Sequence, residues 1–276
     1  KMMRRLRVIM AVAKKGLAQM IRYPTWIIQF IVWPLIFPLM YILSAVGMAG
    51  PERSGLAAFN IATGTKNFMG FIVIGTMVWM WVNIVMWGFG TFLRDEQMRG
   101  TLESNWLCPI KKIDLLIGGA SLSMIESVLL TFISVIEYRL VYGIHFTGSV
   151  LSWILCFLVM IPGVYGFGTM FASLVLWVKE TSAAVQLVRG SIMILCGITF
   201  PAAIMPDWMQ FIANFMPFTF GISAARTIMI NGGSIMDALP DLLICLGEGF
   251  IYMIIGKLCF TAVENKVRNS GSLERF

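Results

Sequence analysis

The sequence predicts an all-α integral membrane protein. It should carry six transmembrane helices, an N-terminal amphipathic interfacial helix and an outer re-entrant helical segment between spans five and six. Three observations carry that reading. Of 276 residues, 58% are apolar or aromatic and only 13% are charged, against about 45–50% and about 25% in soluble domains. Six apolar runs reach the length of about 20 residues that a helix needs to cross hydrocarbon. The basic residues then gather on one side of those runs, the asymmetry by which membrane proteins orient. Six spans leave no room within these residues for a separate soluble catalytic domain, so 1–276 reads as one transmembrane domain.

The first element, within 1–24, is amphipathic. Leu6, Ile9, Ala13, Leu17 and Met20 recur at helical spacing, while Arg7, Lys14, Lys15 and Arg22 share the other side. A helix of that polarity lies along a membrane surface. A signal-peptide n-region would be shorter and would lead into a shorter apolar run. The chain begins at Lys1 and not at Met, so a start further upstream is expected. Pro24 separates this helix from the first span.

The spans follow at Trp26–Val46, Met69–Phe92, Leu115–Ile136, Val150–Val178, Val185–Ile204 and Leu239–Val263. The fourth is longer than a bilayer requires and contains Pro162, Gly163, Gly166 and Gly168, which predicts a tilt or a break near its middle. Between the fifth and sixth lies 201–217, bounded by Pro201 and Pro217, in which Trp208, Phe211, Ile212 and Phe215 make one apolar face of a short helix. It is too apolar for a free loop and too broken for a span, and is read as re-entrant or interfacial. Trp26, Trp153, Trp177 and Trp208, near run ends, suit interfacial anchors.

Lys1, Arg4, Arg5, Arg7, Lys14, Lys15, Arg22, Arg94, Arg99, Lys111, Lys112, Lys179, Arg189, Lys266, Arg268 and Arg275 fall on one side of the six runs. Only Arg53, Lys66, Arg139 and Arg226 fall on the other. The richer side should be cytoplasmic, placing both termini in the cytosol of a multi-pass plasma-membrane protein. The net charge of +7 is thus a topology signal, and no nucleic-acid partner is expected. The five cysteines are odd in number and lack CxxC spacing, so neither a disulfide framework nor a metal site is indicated. His145, the sole histidine, falls on an outer loop as a solvated residue.

Two stretches go beyond hydropathy. After the second span comes Arg94-Asp-Glu96-Gln-Met-Arg-Gly100-Thr101-Leu-Glu103-Ser-Asn-Trp-Leu-Cys-Pro109. A short helix here would be capped by Thr101 or Asp95 and ended by Pro109. Later come Cys196-Gly197-Ile-Thr-Phe200-Pro201, Met205-Pro206-Asp-Trp208, Pro217-Phe-Thr219 and Arg226. The first resembles the E-x-E-x-G-T-L-E…P loop of the type-two permeases of ATP-binding cassette exporters, and the second is similar to that family's G-x-x-F-P…L-P-x-W…P-L-T…R signature. Met98 departs from the pattern where a second acid is common, which leaves the salt bridges to an ATPase open.

The resemblance implies a membrane subunit that pairs with a second permease subunit, in a homo- or heterodimer, and docks on two ABC ATPase subunits. Residues 93–112 would form the cytoplasmic coupling loop, with Arg94, Glu96, Gly100, Thr101, Glu103 and Pro109 coupling to the ATPase. Phe200, Pro201, Pro206, Trp208 and Pro217 would form an outer gate, or else a plug. No P-loop is present; Gly64-Thr65-Lys66 lacks both the first glycine and the closing hydroxyl. The chain itself should bind no cofactor, with ATP and Mg held by the partner ATPase.

Asn83, Glu126 and Glu248 are polar groups inside spans, where an ionised group costs roughly 2.5–3.5 kcal/mol at the helix centre. They line a translocation route or dimer seam, or fix helix packing. Methionine and phenylalanine, 21 and 20 in number, suit pliable apolar walls and a lipophilic or amphiphilic cargo such as a drug, lipid, peptide or lipid-linked glycan. The alternative is an ion-gradient transporter or channel using Glu126 and Glu248, for which the sequence lacks two related halves.

Overall fold

The computed structural model describes residues 2–49, 55, 59–61, 65, 67–108, 111–178, 181–201 and 204–270. Of the residues used above, Lys1, Arg53, Lys66, Pro109, Lys179 and Arg275 lie outside it, as do the side chains of Arg4, Arg5, Arg94, Glu103, Trp177 and Arg268.

Helix α1 (Met2–Arg22) turns sharply at Pro24 into α2 (Trp26–Met48). Next come α3 (Phe68–Met98), the short α4 (Leu102–Leu107), α5 (Lys112–Val141) and α6 (Val150–Val178). The chain ends with α7 (Thr181–Leu195), α8 (Asp207–Ala213), α9 (Thr219–Met229) and α10 (Ile235–Ser270). No strand occurs among the described residues. Five helices, α2, α3, α5, α6 and α10, are long and apolar enough to cross a membrane.

The fifth expected run departs from this pattern. Val185–Ile204 is not one helix: α7 stops at Leu195 after 15 residues, about 22 Å at 1.5 Å per residue, short of a hydrocarbon core of about 30 Å. Gly197 adopts φ 62°, the left-handed geometry that terminates helices, and Pro201 follows. Hydropathy runs on through Ile204 because the residues that break the helix leave the segment apolar.

The fourth run departs from one of its two expectations, the break. α6 continues through Pro162 without a break over 29 residues, and its glycines serve close approach to α10. A methyl on Gly166 would collide with the Met253 backbone nitrogen, and one on Gly256 with the Gly166 carbonyl oxygen. A Cβ on Gly249 would lie 2.8 Å from the Gly163 nitrogen. Small residues let helix backbones approach where lipid removes the hydrophobic drive for association.

α3 is the central helix, with 78% of its apolar stretch buried, against 22% for α2 and for α10. α2 buries one stripe, Phe30, Pro34, Pro38 and Ile42, each four residues on from the last. Its two internal prolines remove backbone donors, and the Tyr142 hydroxyl of α5 donates to the Leu35 carbonyl between them. Phe37 stacks on Trp79 of α3 at 4.4 Å between ring centres.

The apolar face of α1 is shared between two surroundings. Met20 is buried and Ile9, Val12, Ala13 and Gly16 are half-buried, with Val12 and Gly16 against α5. Leu6, Met10, Leu17 and Ile21 are exposed. The elbow between α1 and α2 is closed by the Trp26 indole donating to the Met20 carbonyl at 3.1 Å.

The glycine contact yields a paired test. Gly166→Ala should lower the unfolding free energy in lipid by about 1–3 kcal/mol, the usual cost of overpacking. Gly247→Ala, on the facing helix α10 at a site where the added carbon meets nothing within 4 Å, should change it by less than about 0.5 kcal/mol or raise it. Thermal denaturation of the two variants side by side reads the difference.

Candidate functional site

Three features gather the polar residues: a carboxylate hub where α3 meets α4, a cleft beside α3, and an arginine node at the opposite end of the bundle.

Glu96, in the last turn of α3, is only 4% exposed. Three elements satisfy it. Lys15 of α1 donates at 2.7 Å to one carboxylate oxygen. The Thr101 hydroxyl donates at 2.7 Å and the Asn105 amide at 2.8 Å to the other. The Thr101 backbone N–H also donates to the Glu96 carbonyl at 2.9 Å. Burial pushes the Glu96 pKa up, but the bonds from Lys15, Thr101 and Asn105 and the lysine charge outweigh it, leaving the group below its ordinary 4.5.

The turn between α3 and α4 needs Gly100, which sits at φ 68° with open space around it. Thr101 occupies the position preceding α4, yet its hydroxyl makes no capping bond to α4. This corrects the capping expectation: the hydroxyl serves Glu96, which has the stronger claim as a buried anion. Cys108, ahead of Pro109, is extended at ψ 139°, as residues before proline are. Lys112 donates to the Cys108 carbonyl at 2.9 Å and so holds the loop's exit. Of the other expected coupling residues, Arg94 and Glu103 belong to α3 and α4, with side chains outside the described set.

Asn83 and Glu126 come together in the cleft, a cavity of about 640 Å³ bounded by α1, α2, α3, α5 and α7. It runs from Glu96 and Lys15 at one end to Arg189 at the other, past Trp33, Trp79 and Trp87. Glu248 is not part of it: on α10, its Oε2 is buried without a hydrogen-bond partner, one turn from Tyr252, whose hydroxyl donates to the Phe215 carbonyl at 2.8 Å.

Arg226, counted above with the outer loop charges, is instead built into the fold on α9. Its NH2 group donates at 2.8 Å to the carbonyl of Ile198, and Nε donates at 3.2 Å to the carbonyl of Phe71. Its guanidinium carbon lies 3.4 Å from the centre of the Phe71 ring. Gly75 makes room, since a methyl there would strike the Ile198 carbonyl oxygen. A second cavity of about 380 Å³ opens beside it, reaching Gly197, Pro201 and Thr219.

The expected gate residues surround this node. Pro201 and Pro217 are buried, and Pro206 is exposed just ahead of α8. Phe200 is 43% exposed and Trp208 63%, and Phe211 and Phe215 share the outward face. The apolar side of α8 therefore points away from the chain's own core.

Lys15, Asn105 and the buried role of Arg226 were not legible in the sequence. Lys15 is separated from Glu96 by 81 positions, and the partners of Arg226 are main-chain oxygens that no motif records.

A bundle of apolar, membrane-length helices with a polar hub at one end and a helix that stops short at the other is the architecture of a multi-pass membrane protein. The family model described as ABC-2 family transporter protein matches residues 50–258, and the chain belongs to that family: it is a transport permease subunit, of a family that generally works with ATPase subunits. A search of curated proteins finds no match. The matched region holds Glu96, Thr101 and Arg226 but not α1, so Lys15 contributes to the hub from outside it.

Two tests follow. A Lys15–Glu96 double-mutant cycle should give a coupling of about 1 kcal/mol, modest because half of the lysine is exposed. Since folding lowers the Glu96 pKa, its contribution is full above the unfolded value and is lost as pH falls through the lower folded value. Protection of the α4 amides against hydrogen exchange should accordingly persist below the ordinary carboxylate value of 4.5 and fall at more acidic pH, and Glu96→Gln should lower it at neutral pH while converging with the unmodified protein at the acid end. Separately, Arg226→Met strands two buried carbonyls and should cost at least about 2 kcal/mol in thermal unfolding. Arg226→Lys should recover only part, because an ammonium cannot reproduce the two-pronged geometry.

Proposed function

We propose that this permease exports a lipophilic or amphiphilic cargo across the plasma membrane, paired with a second permease subunit and driven by two ABC ATPase subunits on its cytoplasmic face. The observation that carries the proposal is the Glu96 hub. Through one buried carboxylate, α4 is tied to α3 by Thr101 and Asn105 and to α1 by Lys15. A load applied to α4 cannot be absorbed by the loop and passes into both helices.

In this reading 93–112 is the coupling loop, and Arg94, Glu103 and Pro109 complete the surface the ATPase meets. Both termini are cytoplasmic. α7 with 196–201 makes a broken fifth span, giving six in all, and the Ile198 carbonyl it frees is met by Arg226, as membrane depth demands. Phe200, Pro201, Pro206, Trp208 and Pro217 form the outer gate; the outward apolar face of α8 supports contact with lipid or with the second subunit. Asn83 and Glu126 line the cargo route, and Glu248 fixes packing around 215–217. ATP and Mg reside in the partner ATPase.

The test uses the permease reconstituted in lipid vesicles with its ATPase subunits. Glu96→Ala should leave basal ATP hydrolysis within about twofold and reduce cargo efflux at least tenfold, about 1.4 kcal/mol of lost coupling. Efflux that persists in vesicles lacking the ATPase, or that follows an imposed proton or sodium gradient after ATP depletion, would overturn the proposal.

A further inference from the structure

The cleft beside α3 contains hydrogen-bond acceptors that the protein itself leaves unmet. Among the described residues the Glu126 carboxylate has no hydrogen-bond or ion-pair partner, and the Oδ1 of Asn83 is buried without a donor. Polar groups of this kind inside membrane spans are retained where something meets them. Each basic residue on the same wall has a neighbour of its own within the protein. Arg189 lies 4.7 Å from the centre of the Trp79 ring, whose indole N–H points back to the Arg189 carbonyl at 3.4 Å. At the loop end Lys15 is held by Glu96, and Arg99 faces Asp95.

What remains for a ligand is therefore one carboxylate, one carbonyl acceptor and the indoles of Trp33 and Trp87, the Trp79 ring being already stacked on Phe37 and covered by Arg189. The complement of that set is a cationic group bearing N–H donors on an apolar body. Its charge answers Glu126, its donors reach Glu126 and Asn83, and both the cation and the apolar body gain from indole faces. The volume of about 640 Å³ lies within the range of small-molecule sites, about 300–1,000 Å³.

We infer that the cleft is a binding site for the ammonium headgroup of an amphipathic amine, and that this is the class of cargo the permease accepts. The inference rests on the permease reading for its transport meaning, while binding itself requires neither ATP nor an ATPase.

The experiment is tryptophan quenching in the full-length chain, purified into nanodiscs of zwitterionic lipid, titrated with bromododecylammonium, bromododecanol and bromododecanoate. The ammonium should quench saturably and bind at least tenfold more tightly than the alcohol, with the carboxylate weakest. Glu126→Gln keeps the shape of the side chain and removes its charge; it should abolish the preference for the ammonium and leave the alcohol unchanged. Equal affinity for ammonium and alcohol in the unmodified protein would overturn the inference, a result that depends on no variant folding. So would an ammonium preference undiminished in Glu126→Gln. Tightest binding of the carboxylate would overturn it as well and assign recognition to Arg189. Because no nucleotide is present, any of these failures leaves ATP-driven export standing, and a failure of ATP coupling leaves the binding result intact.

Discussion

Irregular backbone at membrane depth survives only where its polar groups find partners, and in this chain that requirement falls on Arg226. α7 ends at Leu195 and Gly197 turns the chain, so the Ile198 carbonyl has left any helical ladder. The guanidinium supplies the missing donor while its Nε holds the Phe71 carbonyl of α3. One side chain thereby joins α9 to the turn 28 positions before it and to α3, 155 positions before it. Arginine suits the task because its donors are fixed in a planar fork and it does not lose its proton. The close approach also explains Gly75, whose position opposite Ile198 admits no side chain.

The same helix that meets Arg226 near its start meets Glu96 near its end. Phe71 and Glu96 are about 37 Å apart along a straight helix at 1.5 Å per residue, so α3 spans from the node to the hub as a single rod. It is the most buried of the long helices, and its middle supplies Trp79, Asn83 and Trp87 to the cleft. Two polar anchors of opposite sign thus fix the ends of the element that also presents the polar groups inside. The hub is the more yielding anchor, since it rests on a lysine that is half exposed and on a carboxylate that can take up a proton.

Much of this was legible in the sequence, and the parts that were not share a cause. Long uninterrupted runs declare themselves by hydropathy, so α2, α3, α5, α6 and α10 lie where the apolar residues place them. The turn at Gly100-Thr101 and the proline-bounded segment before α9 were visible because glycine and proline limit the backbone locally. The end of α7 was missed because a left-handed glycine stops a helix without changing its hydrophobicity. The glycines of α6 misled in the opposite direction: they signal flexibility in one dimension and serve packing in three. Among the polar residues, Glu96 was identified from its motif, but its hold on α1 depends on Lys15, which only the tertiary fold brings near. Asn83 and Glu126 were singled out as costly, yet nothing in their spacing of 43 positions shows that one cleft receives both.

The packing also decides which wall of that cleft yields when α4 is loaded. α3 is the most buried of the long helices, whereas α2 buries only a single stripe of four residues and contains two prolines that weaken its own ladder. It is joined to α1 by an elbow that the Trp26–Met20 bond keeps closed, so the two helices move together. The polar link drawing α1 toward the loop is Lys15 to Glu96. Under the proposed coupling, a displacement of α4 therefore shifts Glu96, draws Lys15 and α1 with it, and levers α2 against the rest of the bundle. The wall that moves is the one carrying Trp33, and the wall that stays carries Asn83, Trp79 and Trp87. An occupant is then released by withdrawing part of its aromatic surroundings while the polar groups that recognise it keep their places, which ties access to the cleft to the state of the loop.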